Sequence, residues 1–204
     1  MYYNPETNDK KSHKDLCILT NSSLKSDIEY YKGYYKIHDI NKPSVISDYQ
    51  ILTESPIELI DGKYTITYSV SYKPLEEIKN IRYKQIEERF NKISTTAYIT
   101  SSYGFRVDAN EVANRNVEGL LKVMKADNEE TVLFKDYDNN FHNVTLEELE
   151  KIQLEIIKNG QNLYKQKWKF ISDITSMTKE LEVIAYNISY KNMDFSKWWQ
   201  IRCY

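Results

Sequence analysis

Residues 63–72, KYTITYSVSY, restrict the fold more than any other stretch of this chain. Tyr64, Ile66, Tyr68, Val70 and Tyr72 fall on one side of an extended backbone, with Thr65, Thr67, Ser69 and Ser71 on the other. Successive side chains of a strand point to opposite faces, so this period of two predicts a half-buried antiparallel strand. Asp61-Gly62 just before it is a two-residue hairpin signal that pairs the strand with residues 56–60. Pro74 then ends the strand and suits the first turn of a helix. Leu75, Ile78, Ile81, Ile86, Phe90 and Ile93 recur at helical spacing to about Ser94. The charged residues between them, Lys79, Arg82 and Glu87 among others, read as a solvated surface.

On either side of this switch the signals are uneven. Residues 1–27 read as a polar leader with a short strand over 16–19. Tyr34–Ile37 reads as an edge strand, Pro43 as a turn, and residues 45–52 as extended. Farther on, an extended run over 97–107 leads into a helix over 109–126. Asp108 is the expected N-cap, with Glu111 completing a capping box and Val107 and Val112 a hydrophobic staple. Ala113, Val117, Leu120, Leu121 and Met124 supply that helix's apolar face. TVLFKDYDNNFHNV predicts a hairpin. Thr145 with Glu148 predicts a second capping box, stapled by Val144 and Leu149, on a helix running to about Ser172. Gly160 is read as a kink or break in it. A last helix over 177–188 precedes an aromatic tail.

The resulting fold class is α+β: a small antiparallel β module followed by an α-rich domain with one β-hairpin. The expected divisions are 1–73 for leader and β module, 74–94 for a linking helix, 95–188 for the α-rich domain, and 189–204 for the tail.

Chemistry is harder to find. With 41% hydrophobic and 28% charged residues the composition is that of a globular protein. The formal net charge of −2 argues against broad electrostatic attachment to nucleic acid or anionic lipid. No apolar run is long enough to span a bilayer. MYYNPETNDKKSHKD lacks the apolar core of a signal peptide, so synthesis in and release into a cytoplasm is expected. Cys17 and Cys203 form no CxxC unit and read as reduced thiols. His13, His38 and His142 have no metal-ligand spacing, and neither a phosphate loop nor a GxSxG elbow occurs. Asp136, Asp138 and Asn140 alternate like the start of a calcium loop but lack its central glycine and terminal glutamate, so a polar turn is the preferred reading. The expectation is therefore no catalytic residue, no metal and no cofactor.

Tyrosine stands out, with 18 Tyr against 6 Phe and 3 Trp. An AT-rich coding bias explains this, and so does an amphipathic contact surface, since tyrosine offers area and a polar tip at low entropy cost. On the second explanation, Tyr64, Tyr68 and Tyr72 are the first candidates for protein contact and Trp198 and Trp199 the second. Phe195 belongs with the two tryptophans, as part of a docking patch or folded back on the core. The stretches YKGYYK and YKQKWK raise single-stranded nucleic-acid binding by stacking and phosphate contact, against the net charge.

From Ile81 to Ile174 the chain also presents IRYKQIEERFNKIS, YGFRVDANEVANRNVEGLL, VLFKDYDNNFHNVTLEELEKIQLEI and LYKQKWKFISDI in that order. In this it resembles a domain family of unknown function found in tail fibre and tail-associated proteins of tailed bacteriophages and prophages. GFRVDANEV is the most specific of the pieces. SPIELIDGKYTITYSVSYKPLEEIK resembles the hairpin that often precedes such a domain. The resemblance implies a virion or virion-assembly role, with assembly in the bacterial host cytoplasm and location in the virion tail. It implies no known catalytic activity and no established active-site residues. The implied partners are other tail or virion proteins, and a homo-oligomer through a self-complementary patch is in keeping with virion assembly.

Overall fold

The computed structural model describes residues 1–21, 23–25, 27–44 and 47–196. The chain forms two compact units, Met1–Pro74 and Leu75–Tyr204. An N-terminal sheet is followed by a mainly helical second unit, which is the α+β class.

The first unit is a seven-stranded sheet with one helix. Three elements of this unit lie within residues 1–20. β1 (Tyr2–Asn4) and β2 (Asp9–Lys11) form a hairpin, and α1 (His13–Thr20) follows. The strand expected over 16–19 is thus helical, because Ser12 and Asp15 close a capping box on the helix start. Such a cap is worth about 1 kcal/mol. A four-residue apolar run cannot by itself distinguish strand from helix, and the cap decides it. Leu16 of α1 and Tyr2 of β1 are both buried.

β3 (Tyr30–Tyr31), β4 (Tyr34–Ile40), β5 (Gln50–Glu54), β6 (Glu58–Ile60) and β7 (Lys63–Tyr72) complete the sheet, in the order β2–β1–β4–β7–β5. β6 and β7 form the expected hairpin, with Asp61 at φ 49° and Gly62 at φ 76° supplying its left-handed turn. β4 is not an edge strand: it lies between β1 and β7 and runs parallel to β7, in register Ile37 with Tyr64. The module therefore contains one parallel pair. The extended segment expected over 45–52 is a strand only from Gln50, and Val45 and Ile46 lie outside the described residues. Burial along β7 does not alternate either. Thr65 and Ile66, on opposite faces, are both buried, whereas residues 69–72 are exposed.

In the second unit α2 (Leu75–Thr95) leads into β8 (Tyr98–Thr100) and β9 (Arg106–Asp108). These two form a hairpin closed around Gly104 at φ 87°, where one extended run was expected, so the unit holds two hairpins. The helix α3 (Glu111–Asp127) is capped by Asn110, whose Oδ1 accepts from the Ala113 N–H at 2.9 Å. Asp108 is the last residue of β9 and caps nothing; Val112 is exposed and makes no staple. The start lies two residues later than expected because Asp108 is committed to pairing with Tyr98. Val117, Leu121 and Met124 bury the helix face as expected.

β10 (Thr131–Lys135) and β11 (Phe141–Thr145) form the second hairpin, followed by α4 (Leu146–Ser176) with the Thr145–Glu148 capping box in place. Val144 and Leu149 are both buried at its start. At 31 residues α4 is unbroken through Gly160 and about 46 Å long. α5 (Glu180–Ala185) is shorter than the helix expected over 177–188, and residues beyond it run on irregularly. Phe90, Ile99, Val117, Met124, Leu149, Ile152 and Phe195 meet in one core. Lys79 and Arg82 of α2 are buried as well, against the expectation of a solvated face. Lys79 donates to the Thr175 carbonyl at 3.1 Å, and Arg82 to that of Tyr186. Both charges thus sit where the chain leaves α4 and α5, at carbonyls that have no helical partner.

Candidate contact surface

The three tyrosines singled out on β7 share one face of the first sheet, and register shows what lies beside them. Tyr64 is level with Ile37 of β4 and Leu59 of β6; Tyr68 is level with Glu54, and Tyr72 with Gln50. Two residues before Ile37, Tyr35 pairs with Tyr3 on one flank and Tyr30 on the other. Paired strand residues point the same way, so tyrosines of four strands gather on one face. Their rings touch in sequence: Tyr30 to Tyr35 at 4.7 Å, Tyr35 to Tyr64 at 4.9 Å, and Tyr64 to Tyr3 at 5.4 Å, all tilted or edge-on. Those are favourable geometries for aromatic pairs.

Ile37 and Ile66 are buried at the centre of this face. Around them the surface stays open: Tyr35 is 37% exposed, Val70 41%, Tyr72 46%, Tyr30 52% and Leu59 62%. Tyr68 is fixed by its hydroxyl, which donates to Asp39 Oδ1 at 2.8 Å, while the Lys42 ammonium lies 4.9 Å from its ring centre. The hydrogen bond to Asp39, with burial adding to it, raises the Tyr68 hydroxyl above the usual tyrosine range. The hydroxyl therefore remains a neutral donor. Sequence alternation located Tyr64, Tyr68 and Tyr72 but not Tyr3, Tyr30 and Tyr35, which long-range strand pairing brings in. Trp198 and Trp199 lie outside the described residues. Phe195 is folded back into the core of the second unit, and its N–H donates to the Thr100 carbonyl at 2.8 Å.

The second unit has its own groove, of about 570 Å³, between α2, α3 and α4. Phe90, Ile156 and Leu163 are buried along its lining, and Gly160 opens it, since a Cβ there would have nothing within 4 Å. The kink or break expected at Gly160 is not formed, and nothing in the sequence pattern announces the groove. Its ionisable lining consists of Glu111 and Tyr164, with no acid–base pair among the described residues.

The turn over 136–140, weighed as a calcium loop, spends its acids on structure. Asp136 is buried and accepts from the Asn140 N–H at 2.8 Å, the Asn140 amide at 3.2 Å and His142 Nε2 at 2.9 Å. Burial would raise its carboxyl, but these hydrogen bonds outweigh burial and bring it down to about 2. Asp138 pairs with Arg106, whose guanidinium lies 4.9 Å from the Tyr137 ring centre and 5.4 Å from that of Tyr98. His142 stacks on Phe105 at 4.1 Å. The cluster fastens the β8–β9 hairpin to the β10–β11 turn.

No curated protein and no solved structure matches the chain. One family model does, described as a domain of unknown function, DUF4376, over residues 72–189. That span is more than half of the chain and takes in the end of β7 and α2 through α5. The chain belongs to the DUF4376 family of domains of unknown function.

Proposed function

We propose that this is a structural or tail-associated protein of a tailed phage or prophage, acting by protein–protein contact and without catalysis. The observation that carries the contact reading is the open tyrosine face of the first sheet, with Tyr64, Tyr68 and Tyr72 on it and Tyr30 and Tyr35 beside them. Monomeric proteins seldom leave a contiguous apolar and aromatic surface of this kind uncovered, and interface cores are enriched in tyrosine. Support for the phage setting comes from the ordered pieces between Ile81 and Ile174, GFRVDANEV foremost, and from the hairpin ahead of them. The partners under this reading are other tail or virion proteins. The location is the virion tail, after assembly in the host cytoplasm.

Mass spectrometry of purified particles from a culture carrying the gene tests the assignment. Peptides of this chain should copurify with tail proteins through a density gradient at a fixed ratio. Their absence from finished particles would sink the structural reading and favour an assembly factor released before completion.

A further inference from the structure

We propose that the tyrosine face of the first unit docks against the same face of a second copy of this chain. The inference rests on the contact reading above and names the partner.

The face offers half-open tyrosines around the already buried Ile37 and Ile66, and tyrosine is among the residues enriched at interfaces. Its rings are already held, by one another from Tyr30 through Tyr35 and Tyr64 to Tyr3, and by Asp39 at Tyr68. Little side-chain freedom remains to be lost on association. Charge then selects the partner. Register puts Lys10 on this face, level with Tyr3, and Glu54, level with Tyr68. These two residues stand on β2 and β5, the opposite edges of the sheet. Neither lies within ion-pair distance of an opposite charge among the described residues, although Glu54 feels the Lys42 ammonium, which is itself held by Asp39 and the Tyr68 ring.

Lys10 and Lys42 balance Asp39 and Glu54, so the face as a whole offers a polyanion no net attraction. A second copy, by contrast, meets opposite charge at both edges. A two-fold axis in the plane between two such faces, midway between Lys10 and Glu54, sets each Lys10 against the other copy's Glu54. The contact is isologous, so this pairing occurs twice. The strands of this sheet run from two to ten residues, so at about 3.3 Å per residue and about 4.8 Å between strands the face measures roughly 500 Å² per copy, and roughly 1,000 Å² for the pair. That is the lower end of stable interfaces, so the dimer forms and dissociates with concentration.

Sedimentation velocity of the full chain over about 1 to 200 µM, a range suited to an interface of this size, reads the equilibrium. The 24.3 kDa monomer should give way to a species of twice that mass. Lys10→Glu alone and Glu54→Lys alone should each leave the chain monomeric with an unchanged circular-dichroism spectrum. Mixing the two variants should restore the dimer, since both cross-pairs are then attractive. A monomer at every concentration, a dimer indifferent to either reversal, or no dimer in the mixture overturns the inference. A monomeric chain found in particles overturns self-association alone; a dimer absent from particles supports it and overturns the tail assignment alone.

Discussion

Asp136 shows how much one buried carboxylate does for the second unit. Three hydrogen bonds from Asn140 and His142 converge on it, and the turn that carries Tyr137 and Asp138 toward Arg106 depends on their geometry. Its carboxyl lies near 2, below the ordinary aspartate value, so the native state favours the ionised form. A depressed carboxyl contributes stability that is complete above the unfolded-state value of about 3.9 and is lost as pH falls through the folded-state value. The denaturation midpoint should therefore drop between about pH 4 and pH 2. Asp136→Asn should lower the midpoint at neutral pH and flatten that acid limb, because the neutral amide has no proton to take up. Midpoints measured by urea titration from pH 2 to 7 decide it. Parallel profiles for the two proteins would refute the role given to Asp136.

At the scale of elements, α4 organises the second unit through two stripes. One is apolar, from Leu149 through Ile152 and Ile156 to Leu163, and its periodicity makes it legible in the sequence. The other is polar: Glu155, Asn159, Asn162 and Gln166 lie at three- and four-residue spacing on one side. Glu155 accepts from the Ser102 N–H at 3.1 Å. The other three hold residues 191–193. Asn159 accepts from the Met193 N–H at 2.8 Å, and Gln166 brackets Lys191 by accepting from its N–H and donating to its carbonyl, each at 2.8 Å. Asn159→Leu keeps the helix but leaves the Met193 N–H without its acceptor, at a cost of about 1–3 kcal/mol. Hydrogen exchange should then quicken at Met193 well before it quickens at Leu149 or Ile152. Equal acceleration at all three would mean that Asn159 supports the core and not the segment.

The polar stripe was not legible, because polar residues on a helix ordinarily face water and nothing local announces an extended strap. The same limit hid Tyr3, Tyr30 and Tyr35, whose place beside Tyr64 depends on pairing β4 parallel to β7. Local patterns held at Thr145, where cap, staple and periodicity agreed, and failed at Asp108, where the same agreement was overridden because Asp108 pairs with Tyr98 in the β8–β9 hairpin.

For the molecule as a whole, the boundary of the matched family and the boundary of the folded unit differ at the C-terminal side. The match ends at 189, yet Tyr190 and Met193 pack against the core and Phe195 is buried inside it. Among the described residues the core cluster spans Phe90 to Phe195 and lies wholly within the second unit, so that unit has what it needs to fold by itself. A fragment of residues 75–196 should unfold cooperatively on heating. One ending at 189 loses the buried Phe195 ring, and removal of a core phenylalanine costs about 3–5 kcal/mol. For a unit of this size that corresponds to a midpoint lower by about 10 °C or more. Phe195→Ala in the longer fragment should reproduce most of the drop, which separates burial of the ring from the length of the chain. If both fragments melt together, residues 190–196 only decorate a core that the family segment completes unaided. If neither melts cooperatively, the second unit does not fold by itself.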